Sequence, residues 1–178
     1  RTIDLVALLL QQQPLLQIAV GTRAKVDIEY DCQPIDVSID TGQLMQLLLN
    51  LTNNAAEAIR HDRGVITIGA TVLEKDGKRT ARLSVRDNGA GMHKDVLGRL
   101  GEPQFSTKSG RRGLGLAASF GIARQHGSTL GVVSEPGRGT TIELDLPRVA
   151  DEPGALPPVP VKAARPARAL VLVIDDEP

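Results

Sequence analysis

The sequence predicts an α/β two-layer sandwich, a mixed β-sheet with about three helices packed on one face. Three observations carry this. Residues 41–60 set Leu44, Leu47, Leu48, Leu51, Ala55 and Ala58 at three- and four-residue steps, the mark of an amphipathic helix with a core-facing side. Residues 80–87 alternate, with Ala81, Leu83, Val85 and Asp87 on one face and Arg82, Ser84 and Arg86 on the other, which is the period of a strand. Helical and strand-like stretches are interspersed along the chain, as a layered mixed fold requires.

In chain order, residues 4–19 read as a short helix that Asp4 can cap, with Leu5, Leu8, Leu9 and Leu16 apolar and Pro14 expected to kink or split it. Alternating strands follow over 26–30 and 35–39. Asp40 or Thr41 can cap the helix over 41–60. Strands over 65–73 and 80–87 come next, then a helix from near Gly113 to about His126. Gly127 suits a left-handed cap there, and Arg124 and His126 suit the negative helix end. A hairpin over 129–146 completes the set, and no internal repeat is visible.

The chain has 178 residues, enough for one domain with a real core plus an appendage. Lys and Arg balance Asp and Glu at 21 each, so there is no electrostatic case for nucleic acid or anionic membranes. Three aromatic residues leave aliphatic side chains to fill the core and give no base-stacking surface. The single cysteine, Cys32, excludes an intrachain disulfide and fits a reducing compartment. No apolar run reaches membrane-spanning length and no signal peptide is seen, so no direct membrane contact is expected. The start at Arg1 rather than Met reads as a piece of something longer.

Three segments carry possible chemistry. Asn50 and Asn54 lie four apart on the 41–60 helix, on one face beside the apolar stripe. Two amides at the margin of a core can point into a cavity, and an amide oxygen is a hard neutral ligand that suits magnesium. Taken alone, the pair reads more simply as two solvated or capping asparagines. Asp87 continues the buried face of its strand, and a buried carboxylate needs hydrogen bonds. A purine's exocyclic amine could supply one, and Gly89 and Gly91 permit positive φ and close approach of a flat ring. An ordinary D-N-G turn is the plain alternative. Residues 98–115 hold five glycines together with Lys108, Arg111 and Arg112 ahead of a helix. Backbone N–H groups at such a start can cradle phosphate, although basic glycine-rich loops are also common at surfaces.

The order and spacing of NLTNNAAEAI at 50–59, DNGAGM at 87–92, FSTK at 105–108 and RRGLGLAAS at 111–119 resemble the ATP-binding catalytic domain of a sensor histidine kinase. The wider family includes gyrase, the heat-shock chaperone ATPases and the mismatch-repair ATPases. The resemblance covers about residues 1–148, with 127–147 similar to the family's closing hairpin and Ile142, Leu144 and Leu146 facing the core. It implies that ATP and Mg2+ are the cofactors. Asn54 would coordinate the metal, and Asn50 would support metal and phosphates. Asp87 would accept from the adenine amine, with Gly89 and Gly91 beside the base. Phe105 matches the phenylalanine box, and residues 98–112 would form a lid whose likeliest cation is Lys108. Gly113, Leu114 and Gly115, with Arg111 and Arg112, would line the phosphates. Asn50 and Lys108 are thus the candidate catalytic residues.

Hydrolysing members of that family typically carry a glutamate where Asn50 stands. An amide cannot take a proton from water near neutral pH, so Asn50 argues for phosphoryl transfer to another acceptor. Glu57 is a weaker candidate base, since helical glutamates are usually solvated. Two positions depart from the family pattern: Arg111 replaces a glycine, and Glu57 stands where many members are basic. A true ATPase and a degenerate nucleotide-binding module remain the competing readings.

The domain limits expected are 1–149 for the catalytic domain, 150–168 for a proline- and alanine-rich linker, and 169–178 for a truncated strand. ALVLVIDDEP resembles the first strand of a receiver domain, where Asp175 and Asp176 would hold magnesium, though any buried strand with an acidic end fits it too. The phosphoacceptor is expected elsewhere, because His61, His93 and His126 all read as surface histidines. The implied partners are a histidine-bearing dimerisation domain of the same parent and a receiver domain or response regulator. The implied location is cytoplasmic, with the parent able to be anchored through other segments.

Overall fold

The computed structural model describes residues 2–31, 34–75, 78–100 and 114–149. A short strand β1, Thr2–Asp4, leads into helix α1, Leu5–Val20. The strands β2, Lys25–Tyr30, and β3, Asp36–Ser38, precede helix α2, Thr41–Ala58. Two long strands follow, β4, Val65–Lys75, and β5, Lys78–Asp87, then a single helical turn α3, Lys94–Leu97. Helix α4, Leu114–Gln125, and the hairpin β6, Leu130–Glu135, with β7, Gly139–Pro147, close the fold.

The main sheet has the order β2-β4-β5-β7-β6. Only β2 and β4 pair in parallel, which requires a crossover between them, and α2 lies within it. The other pairings are antiparallel, including β5 with β7, where Arg82 faces Asp145 and Val85 faces Ile142. The helices cover one face: α2 packs on β4, β5 and β7, α1 on α2 and β2, and α4 on α2 and β6. The expected two-layer sandwich is therefore present, with three long helices and the short α3 among the described residues.

Leu44, Leu47, Leu48 and Leu51 of α2 meet Ile66, Ile68, Leu83, Val85 and Leu144 of the sheet in one continuous core. Each such side chain contributes about 2 kcal/mol by leaving water. The alternation of β5 holds as expected: Ala81, Leu83, Val85 and Asp87 are buried. On the opposite face Arg82 donates two hydrogen bonds to Asp145, at 2.7 and 2.8 Å, and reaches Glu143 at 2.9 Å. This cross-strand bidentate pair ties β5 to β7.

The caps form as their residue types suggest. Asp4 Oδ1 accepts from the Val6 N–H at 3.0 Å, and Asp40 Oδ1 accepts from the Gln43 N–H at 2.9 Å. Gly127 takes φ 64° after α4. Differences from the expected elements include three with a clear physical reason. Helix α1 runs through Pro14 without a break. Pro14 and Leu10 are both exposed, so the Leu10 carbonyl deprived of its helical donor lies on the side where water can replace it. Helix α2 ends at Ala58, short of residue 60, because Ile59 turns extended and the Ala90 N–H takes the Ala58 carbonyl at 3.0 Å. The 35–39 strand is shorter, Asp36–Ser38, and pairs with β1 in a separate two-stranded sheet.

Candidate functional site

Asp87 ends β5 on its buried face and is 7% exposed. Its Oδ1 accepts from the Gly89 N–H at 2.8 Å and from the Thr140 N–H at 3.3 Å. Both bonds fall on one oxygen, so Oδ2 is the atom left for another donor. Burial raises the carboxyl pKa above the usual range, and the two backbone N–H bonds oppose that shift. A half-satisfied carboxylate in an apolar setting is an acceptor looking for a donor.

The loop that follows is tightly built. An added Cβ at Gly89 would lie 2.8 Å from the Ala58 carbonyl, and one at Gly91 would lie 2.0 Å from the Glu135 carbonyl oxygen. Gly91 also has φ 65°, so both its conformation and its contact demand glycine. The side chain of Asn88 does not face a ligand. It accepts from the Val65 N–H at 2.9 Å and donates to the Arg63 carbonyl at 2.8 Å, fastening the turn before β4 to the end of β5.

The asparagines lie further back along α2. Asn50 Nδ2 donates to the Gly115 carbonyl at 3.3 Å. A carbonyl only accepts, so the amide nitrogen must face it and Oδ1 points elsewhere. Asn54 makes no side-chain hydrogen bond among the described residues. An added Cβ at Gly115 would stand 3.9 Å from Asn54 Oδ1 and 4.0 Å from Asn50 Cγ, so the start of α4 faces both amides. Ser119 Oγ donates to the same Gly115 carbonyl at 2.9 Å, which braces that start from within α4. One helix therefore links the two ends of the site: Ala58 abuts the Asp87 turn, and Asn50 lies about 12 Å back along the axis.

A family model for histidine kinase-, DNA gyrase B-, and HSP90-like ATPases matches residues 39–150, which takes in both ends of this site. The chain belongs to that family. Similar proteins are named as kinases, among them a sensor histidine kinase. Sporulation kinase B of Bacillus subtilis is 35% identical over 78% of this chain and 32% of its own length. Sensor histidine kinase ZraS of Escherichia coli is 39% identical over 63% of this chain and 23% of its own. Sensor kinase CckA of Brucella abortus is 30% identical over 98% of this chain and 21% of its own. The chain thus spans a third or less of these relatives. Among solved structures, the nucleotide-free catalytic domain of the histidine kinase ThkA superposes with a TM-score of 0.71 at 23% identity, covering 83% of this chain and 95% of that one. Full-length ShkA in complex with AMPPNP gives 0.67 at 26% identity, covering 92% of this chain and 33% of that one.

In this ATPase-family domain, no cluster of three His, Cys, Asp or Glu side chains forms a metal cage among the described residues. The donors present are neutral amides, of which Asn54 has no hydrogen-bond partner among the described residues. That set suits Mg2+, which keeps several waters and shares its shell with phosphates. Phe105, Lys108, Arg111, Arg112 and Gly113 lie outside the described residues, as do Cys32 and residues 150–178. The sequence reading missed Thr140, the second donor to Asp87. The signal for it lay in the hairpin, since the β5–β7 register sets Arg86 opposite Thr141 and so brings residue 140 alongside Asp87.

No helix among the described residues is long and apolar enough to cross a membrane.

Proposed function

We propose that this domain binds ATP with Mg2+ and donates the γ-phosphoryl group to a histidine on a separate dimerisation domain, in two-component signal transduction. The observation that carries the reading is Asp87: a buried carboxylate whose Oδ1 is held by two backbone N–H groups while Oδ2 is left to accept from an adenine amine. Complex formation with AMPPNP by the similar protein ShkA supports it.

In this reading Asn54 would hold the metal through its amide oxygen, with Asn50 beside it and its Nδ2 anchored on Gly115. The bound ion supplies charge neutralisation for the phosphates. Gly113, Leu114 and Gly115 would offer N–H groups to the phosphates, and Phe105, Lys108, Arg111 and Arg112 would close over them, Lys108 as the principal cation. Asn50 cannot serve as a base toward water, which favours transfer over hydrolysis. In the transfer the bond from the γ-phosphorus to the bridging oxygen breaks, the lone pair of an imidazole nitrogen forms the new bond to phosphorus, the ring gives up its N–H proton to solvent, and ADP leaves with the bridging oxygen and its electron pair. The chain's part is to position and to exclude water.

The acceptor histidine would lie on the parent's dimerisation domain, and a receiver domain or response regulator would take the phosphoryl group onward. Residues 1–149 would form the catalytic domain, 150–168 a linker, and 169–178 the first strand of a receiver with Asp175 and Asp176 at its acidic end. The location would be cytoplasmic. The test is to mix this chain, γ-labelled ATP and the histidine-bearing helical domain of the parent. Transfer of label to that domain in an acid-labile linkage is expected. Rapid multiple-turnover phosphate release without transfer would show an ATPase instead.

A further inference from the structure

Ser134, near the end of β6, makes three hydrogen bonds through one hydroxyl. Its Oγ accepts from the Met92 N–H at 2.9 Å, lies 2.9 Å from Thr140 Oγ1 and donates to the Gly139 carbonyl at 3.0 Å. A hydroxyl has one proton and two lone pairs. The Gly139 carbonyl can only accept, so it takes the Ser134 proton, and Thr140 Oγ1 must then donate its own proton to Ser134. Every bonding capacity of Ser134 is used. The hydroxyl joins the loop after Asp87 to the strand that carries an Asp87 donor.

That junction is the last of three consecutive ties. The Gly137 N–H donates to the Ala90 carbonyl at 2.8 Å, Gly91 presses against the Glu135 carbonyl, and Met92 reaches Ser134. On its other side the same loop is tied to α2 by the Ala90 N–H on the Ala58 carbonyl. The loop is thus held between α2 and the β6–β7 hairpin, and Thr140, fixed at its side chain by Ser134, donates its N–H to Asp87.

We propose that Ser134 is a positioning residue for base recognition: its hydroxyl locks residues 90–92 and Thr140 together, and so fixes the carboxylate edge that Asp87 offers to adenine. This rests on the adenine-nucleotide reading above. Among the described residues no hydrogen bond joins Asn54 to the hairpin, so the metal end proposed there should not depend on the Ser134 hydroxyl.

The test is calorimetric titration of ADP into the unaltered chain, Ser134→Ala and Ser134→Thr, each with and without Mg2+, at a temperature where all three are folded. Ser134→Ala is expected to weaken ADP roughly five- to thirty-fold, the effect of losing a well-formed, partly buried hydrogen-bond junction. The ratio of affinities with and without Mg2+ should stay as in the unaltered chain, and Ser134→Thr should restore binding. A general loosening of the fold would instead lower affinity and magnesium dependence together, and that result overturns the proposal. So does Ser134→Ala binding within twofold of the unaltered chain, or no rescue by threonine. Should Ser134→Ala fail to fold, Thr140→Val removes the hydroxyl partner while keeping the Asp87 N–H bond. It should weaken ADP in the same magnesium-independent way, and unchanged affinity there counts against the proposal. Absence of ADP binding by the unaltered chain would overturn the functional reading itself, an outcome the control reports separately.

Discussion

At the scale of single residues, the role proposed for Asp87 would set function against stability. Its folded-state pKa is raised, chiefly by burial. The protonated form is therefore the one the ligand-free fold prefers, and stability falls as pH rises from the ordinary carboxylate range through the raised value. Asp87→Asn should make the ligand-free domain more stable near neutral pH, with the advantage vanishing in acid, where the native side chain is also neutral. Thermal melts across pH check this, and a difference that grows toward low pH would contradict it. The same substitution places an N–H2 where Oδ2 accepts, since Oδ1 must still receive Gly89 and Thr140. Adenine affinity should drop about ten- to a hundred-fold, while a 6-oxo purine loses less. Equal losses for ATP and GTP would remove Asp87 from base recognition. Asn54→Ala, in contrast, should abolish only the magnesium-dependent part of ATP affinity.

At the scale of elements, the loop over 88–92 and helix α1 make opposite predictions. Gly91→Ala would drive a Cβ to 2.0 Å from a backbone oxygen at a positive φ, so it should destabilise by more than about 2 kcal/mol in urea unfolding. Pro14→Ala should stabilise by about 1–3 kcal/mol, because α1 is already continuous there and the change restores one helical N–H. Loss of stability on that change would mean that Pro14 has a packing role. The two elements also show what was legible in sequence. The leucine steps of α2 and the alternation of β5 report a local period, so their buried faces, Asp87 included, could be read directly. The uninterrupted α1 could not, since tolerance of Pro14 depends on which side of the helix faces water. Nor could the pairing of β1 with β3, three residues each, which rests on contacts more than thirty positions apart. The bonds of Ser134 and Thr140 to the Asp87 loop escaped for the same reason: they exist only once β7 lies against β5.

At the scale of the whole molecule, α2 organises the domain. Its apolar face builds the core, its asparagines face α4, and its C-terminal carbonyl holds the loop beside Asp87. In the proposed reading, recognition of the base and of the charged tail would both be built on this helix, with the hairpin bracing the base end through Ser134 and Thr140. The two ends should consequently fail separately under mutation, as the Ser134 and Asn54 variants test. The most direct measurement is calorimetric titration of ATP and GTP into the unaltered chain, with and without Mg2+. ATP is expected to bind, to bind more tightly with Mg2+, and to outcompete GTP by at least about tenfold. Equal affinity for the two nucleotides with no response to Mg2+ would contradict this expectation.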